Sequence, residues 1–274
     1  MGNSRLGWIL SLAVIAPAVL AQAPRQGGQS QPIQRESWQL VALANQARAA
    51  QGAKPLKWDP ALAEAARQHC LRMAAEGPIS HQYGGELDVG GRAGQAGAHF
   101  SLIEENVAVA SNLALVHRGW MESPGHRANL LNPKVDRVGV AVVARGDMLY
   151  AVADYEKAVP VLAPAEVEAA VGGLIRAYSI SLLANHSGAR ATCALERGLP
   201  RSLSGPQPEF VMRWQDADLT HLPRTLTDRL VSGDYRSASV GSCPPQAVEG
   251  AFTVYRVAVL LYTAPAINNM KPFY

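Results

Sequence analysis

Ser123-Pro124-Gly125-His126-Arg127-Ala128-Asn129-Leu130-Leu131, followed by Val138-Gly139-Val140, is the stretch on which the reading of this chain turns. Pro and Gly beside His126 are turn chemistry, and a turn presents an imidazole from a rigid scaffold. Downstream, Val138 to Val143 and Met148 to Val152 are apolar runs of strand length on either side of Arg145-Gly146-Asp147. Gly and Asp suit a tight turn, so the segment predicts a β-hairpin rather than an adhesion triplet. Upstream, Leu113, Val116 and Trp120 recur at helical spacing and predict a helix over Leu113 to Glu122.

Further upstream lie two more stretches with ionisable residues, Glu104-Glu105-Asn106-Val107-Ala108 and Ile79-Ser80-His81. Residues 79–103 read as a long Gly-rich irregular loop, and a loop of that length inside a domain is usually functional or disordered. Before it, Asp59-Pro60 opens a helix that runs to about Glu76 and stops at Gly77-Pro78. Asp caps the free amides there, and Pro suits the first turn. Leu40, Val41, Ala44 and Ala47 predict an earlier helix from Trp38 to Ala50.

The whole chain has 274 residues, 48% of them hydrophobic and 17% charged, with a formal charge of +3. That length allows one large domain or two modest ones. No run of five like charges occurs, so a nucleic-acid partner is not expected. Arg5 and the apolar stretch Trp8 to Leu20 read as a signal peptide cut after Ala21, too short for a stable membrane span. The expected location is therefore secreted or periplasmic. Residues 22–35 read as a flexible leader, 36–158 as the first domain, 159–168 as a linker and 169–274 as a C-terminal region of unknown role. That last region promises a helix from Glu166 to Tyr178, then short strands over Glu209–Trp214, Tyr235–Val240 and Phe252–Tyr262. No internal repeat is visible. In an oxidising compartment Cys193 and Cys243 are the natural disulfide pair, and Cys70 is left as a buried, inert thiol.

The order helix, helix, His81, Glu105-Asn106, helix, Trp120, Gly125-His126, then two strands resembles the CAP superfamily: cysteine-rich secretory proteins, antigen 5 and pathogenesis-related proteins. The Ser123 to Arg127 stretch, with Asn129-Leu130-Leu131, resembles its bacterial secreted branch. The resemblance covers about 120 residues of the chain. It implies an α+β fold: an α-β-α sandwich with a central cleft, followed here by a small mixed, mostly β C-terminal region. It also implies a cleft of two histidines and two acids that divalent metals can occupy. His81, Glu105 and His126 fall at matching positions. The family's second acid corresponds to Ser123, and Glu122 lies one residue earlier, about a quarter-turn away on a helix.

Two imidazoles and one or two carboxylates are suitable ligands for Zn²⁺ or another divalent cation. Three functions remain open. The first is a binding module for a divalent metal, a lipid or other small apolar ligand, or a cell-envelope polymer; the lipid is implied by the resemblance alone. The second is a metal-assisted, peptidase-like hydrolase with Glu105 as general base. The third is a structural extracellular domain. No His-Glu-x-x-His, Gly-x-Ser-x-Gly or phosphate-loop motif is present. Of the other histidines, His69 and His117 are expected to face solvent from their helices, and His99 is near enough in sequence to approach the cleft.

Overall fold

The computed structural model describes residues 30–203, 205–245 and 251–263. The expected signal peptide lies outside the described residues. Helix α1 (Ser30–Ala50) begins inside the stretch expected to be a flexible leader. It is followed by β1 (Lys57–Trp58), α2 (Pro60–Glu76), α3 (Val89–Gln95), β2 (Phe100–Ala110), α4 (Leu113–Glu122), α5 (Pro124–Leu131), β3 (Arg137–Arg145) and β4 (Met148–Ala158). The local signals act as anticipated at several ends. Asp59 accepts from the amides of Ala61 and Leu62 at 2.8 and 3.1 Å. Gly146 takes the left-handed conformation that closes the β3–β4 turn.

These elements form a four-stranded sheet in the order β1-β3-β4-β2. β1 runs parallel to β3, and the other pairs are antiparallel. Side chains alternate across it. Val138, Val140, Val142, Ala151, Ala153 and Tyr155 pack against α1, α4 and α5 on one face. Ala141, Tyr150 and Val152 meet α2 on the other, where Ala66, Cys70 and Met73 are buried. α2 crosses β3 at Gly139, where a Cβ would lie 2.0 Å from the Ala63 amide nitrogen. Only glycine permits that approach, which brings helix and sheet into contact.

The stretch 79–103 departs from the expectation of an irregular loop. Asp88 caps α3 through the amide of Gly91, and Ala93 packs with Leu62, Ala65 and Phe100. Small residues hid this helix, because its apolar stripe is made of alanine and glycine.

The C-terminal residues repeat the architecture. α6 (Pro164–Arg176), β5 (Ser181–Leu182), α7 (Ser187–Ala194), β6 (Phe210–Asp216), α8 (Arg224–Val231), β7 (Ser237–Cys243) and β8 (Tyr255–Tyr262) build a second four-stranded sheet, β5-β7-β8-β6. Its parallel and antiparallel pairings match those of the first sheet. α6 and α8 cover one face, and α7 covers the other. Gly241 is the counterpart of Gly139: a Cβ there would lie 2.2 Å from the backbone of Ala189 and Arg190 in α7. Two α-β-α layers therefore follow one another, a likeness of backbone that the sequence does not display. The Cys193–Cys243 disulfide ties α7 to the end of β7, as expected.

Candidate functional site

β2 is an edge strand of the first sheet, and it carries the central carboxylate. Alternation sends Glu105 to the α2 face and Asn106 to the opposite one. Glu105 is buried, and both its oxygens are engaged. Oε1 lies 2.8 Å from His81 Nδ1, and Oε2 accepts a close bond from Arg92 Nη2. Arg92 reaches the site from α3, and its Nη1 also donates to the carbonyls of His81 and Leu87 at 3.2 and 2.8 Å. The guanidinium takes the place of the water that burial removes from the carboxylate.

His126 arrives from the first turn of α5, which starts at Pro124. Its carbonyl accepts from Asn106 Nδ2 at 2.8 Å, and Asn129 donates to the Glu105 carbonyl and to Asn106 Oδ1, both at 3.1 Å. These bonds stitch α5 to the free edge of β2. The His81 and His126 rings stand 6.0 Å apart between centroids. His81 is 58% exposed, whereas the Glu105 carboxylate beneath it is 3% exposed. The site thus has a fixed, charged floor and an open mouth made of two imidazoles.

The two rings are displaced in opposite directions from the ordinary histidine range. The hydrogen bond from Glu105 raises His81, outweighing burial. Burial, then the charge on His81, lowers His126. His81 thus holds its proton to higher pH than His126 does.

Asp154 faces Glu105 directly across β2 and β4 and is fully buried. Neither of its carboxyl oxygens meets a hydrogen-bond partner among the described residues. Burial, then the charge of Glu105, pushes its carboxyl well above the usual range.

His69 corrects the expectation of a solvated ring. It is fully buried, with Nδ1 2.8 Å from Glu86 Oε1 and Nε2 2.9 Å from the Ser80 carbonyl. The buried face of α2 is wide enough to include Ala65 and His69 beside Leu62, Ala66, Cys70 and Met73. The ring thereby anchors both sides of the loop that carries His81. His117 is half-buried rather than solvated, and burial lowers its pKa. His99 is exposed beside Thr253, at 3.3 Å, and takes no part in the cleft. Cys70 is buried against the Tyr150 carbonyl, its thiol pushed up to about 12.

Glu122 does not join the cleft. It lies two residues from the buried Trp120, roughly 200° around the helix. Its exposed carboxylate sits 3.9 Å from Arg118 on the same helix. Among the described residues no group of three or more His, Cys, Asp or Glu side chains is placed to hold a metal ion. Arg92, Glu86 and Asp154 were not singled out from the sequence. Asp154 alone left a signal there: one acid inside the apolar run Tyr150-Ala151-Val152-Ala153.

The family model for the cysteine-rich secretory protein family, CAP, matches residues 41–155. The uncharacterized protein YkwD of Bacillus subtilis is 34% identical over 113 residues, which are 40% of this chain and 43% of that protein. An extracellular protein from Bacillus anthracis with an SCP domain shares 27% identity at a TM-score of 0.44, covering 46% of this chain and 42% of that one. A cysteine-rich secretory protein from Staphylococcus aureus shares 23% identity at a TM-score of 0.39, covering 47% and 40%. The chain spans less than half the length of each of these relatives.

Proposed function

Because residues 41–155 are a domain of the cysteine-rich secretory protein family, we propose that the chain works outside the cytoplasm as a binding module, its cleft taking a polar group of a cell-envelope polymer between His81 and His126. One observation carries this reading: the two imidazoles are the open part of a site whose base is immobilised by Arg92 and Glu105. His81, held through Nδ1 by Glu105, turns its other ring nitrogen to a ligand, and His126 offers a second imidazole as donor or acceptor. The Cys193–Cys243 disulfide supports an oxidising compartment.

A divalent cation is the other occupant suggested by the residue types. When bound, such an ion would polarise a ligand oxygen or hold a water. Its protein donors would be His81 Nε2 and His126 alone, because both Glu105 oxygens are already bonded and Glu122 points away. Structural and catalytic zinc sites use three or four protein ligands. The residues present therefore do not fit a tight zinc site.

Co-sedimentation with purified cell-wall polymer tests the proposal. The wild type should bind and the His81→Ala/His126→Ala double variant should lose at least tenfold in affinity, with circular dichroism unchanged. Equal sedimentation of the two proteins would overturn it. Zinc calorimetry on the same pair should show only weak binding; a tight one-to-one complex lost in the variant would establish the metal reading instead.

A second reading, hydrolysis, is favoured by the opposite displacement of the two imidazoles. In it His126 accepts a proton from water, His81 donates to the leaving group, and Glu105 positions His81. Turnover of soluble cell-wall fragments that His126→Ala leaves intact would sink this reading.

A further inference from the structure

The two sheets and their helices meet along a second, separate concavity. Thr253 N donates to the Phe100 carbonyl at 2.8 Å, and the Tyr255 hydroxyl donates to the Pro160 carbonyl. The contact leaves a cleft of about 990 Å³ on one side. One wall belongs to the first sheet and carries Lys57, Lys134, Arg137 and Lys157. The other belongs to the C-terminal layers and offers Leu162, Ala170, Leu219 and Tyr255. Volumes of this order at a junction between domains suit small ligands.

The charges in this cleft do not cancel. Lys157 is paired with Asp136 at 2.6 Å. Asp218 spends Oδ1 on the amide and hydroxyl of Thr220, at 2.8 and 2.7 Å, and stands 3.4 Å from His221. Lys57, Lys134 and Arg137 have no carboxylate within 4.0 Å among the described residues. Among the described residues three cations thus stand without an ion-pair partner on one wall, across from the apolar side chains of Leu162, Leu219 and Tyr255 and the single carboxylate of Asp218.

The C-terminal sheet does not repeat the buried acid pair of the first sheet at the matching positions. In the first sheet the row that starts at the helix-crossing glycine reads Gly139, Asp154, Glu105. In the second it reads Gly241, Ala258, Arg213. Arg213 is spent on the carbonyls of Thr192 and Gly198.

We propose that the inter-sheet cleft binds a small amphipathic anion, its carboxylate or phosphate headgroup among Lys57, Lys134 and Arg137 and its apolar body against Leu162, Leu219 and Tyr255. The site uses residues on both sheets, so neither half holds it alone. Headgroup capture by exposed cations weakens with salt, and burial of the apolar body does not.

Calorimetry on the full chain with octanoate, octyl phosphate and 1-octanol tests this. Both anions should bind one-to-one, the alcohol at least tenfold more weakly, and the better of the two anions identifies the natural headgroup. Lys57→Ala/Lys134→Ala should cost at least tenfold for the anions and leave the alcohol unchanged. Lys57, Lys134 and Ala170 are exposed, so these variants should fold. Ala170→Trp fills the cleft from α6 and should abolish binding of all three. Failure of both anions to bind the wild type, equal binding of anion and alcohol, or binding that survives Ala170→Trp would each overturn the proposal. A soluble polyanion such as polyglutamate that binds wild type and Ala170→Trp alike, where the octyl anions do not bind, would assign the cations to a polyanion surface and overturn it as well.

Discussion

Glu156 lies on the same face of β4 as Asp154 and is 1% exposed, with Oε2 unpartnered among the described residues. Burial, then the charge of Asp59, raises its carboxyl to about 8. An unfolded glutamate ionises near 4.3. The folded state therefore binds the extra proton between those values, and stability is full at low pH and falls as pH rises towards 8. In Glu156→Gln this part of the slope disappears. The loss of stability between pH 5 and pH 8, read by urea unfolding, should shrink by about 3 kcal/mol. The site histidines give a second residue-scale outcome. In a proton-NMR titration His81 should titrate above the ordinary range and His126 below it. Glu105→Gln should bring His81 down, because its largest upward influence is the bond to that carboxylate.

Between elements, one buried side chain ties several parts of the first layer together. Arg48, at the end of α1, is fully buried, and its partners are backbone carbonyls. Its guanidinium donates to the carbonyls of Lys54, Leu130, Asn132 and Val135 at 2.8, 2.9, 2.9 and 3.3 Å. Those carbonyls are the end of α5 and the approaches to β1 and β3, so Arg48 closes helix ends that would otherwise be unsatisfied. Arg48→Met keeps the volume and strands the acceptors. It should lower unfolding free energy by about 3–5 kcal/mol. It should also loosen α5, seen as faster amide exchange at Asn129 to Leu131. A loss below 1 kcal/mol would mean that water replaces the guanidinium there.

At the scale of the molecule, the two α-β-α layers differ in what secures them. The first has a free thiol, Cys70, and relies on its core. The second is fastened by Cys193–Cys243, which closes a separation of 50 residues. A loop of that size corresponds to about 4 kcal/mol of chain entropy removed from the unfolded state. Cys193→Ala/Cys243→Ala should therefore melt the C-terminal layers first. Calorimetry should resolve two transitions, with the histidine cleft still titrating normally below the second. A single transition shifted as a whole would show that the inter-sheet contact couples the halves fully.

The sequence by itself determined three helices and the β3–β4 hairpin of the first layer and singled out His81, Glu105 and His126. Periodicity placed the helices, Asp59-Pro60 and Gly146 punctuated them, and His81, Glu105 and His126 stood beside turn chemistry in a recognisable order. These are local signals, carried by neighbours in the chain. Tertiary structure alone decided the rest. Arg92 and Asp154 reach Glu105 only because α3 packs on α2 and β4 pairs with β2, long-range contacts with no local spacing to announce them. Glu122 was excluded by the direction of a helix face relative to Trp120. The second α-β-α layer escaped notice because backbone pairing and a helix-crossing glycine preserve an architecture while the side chains around them change.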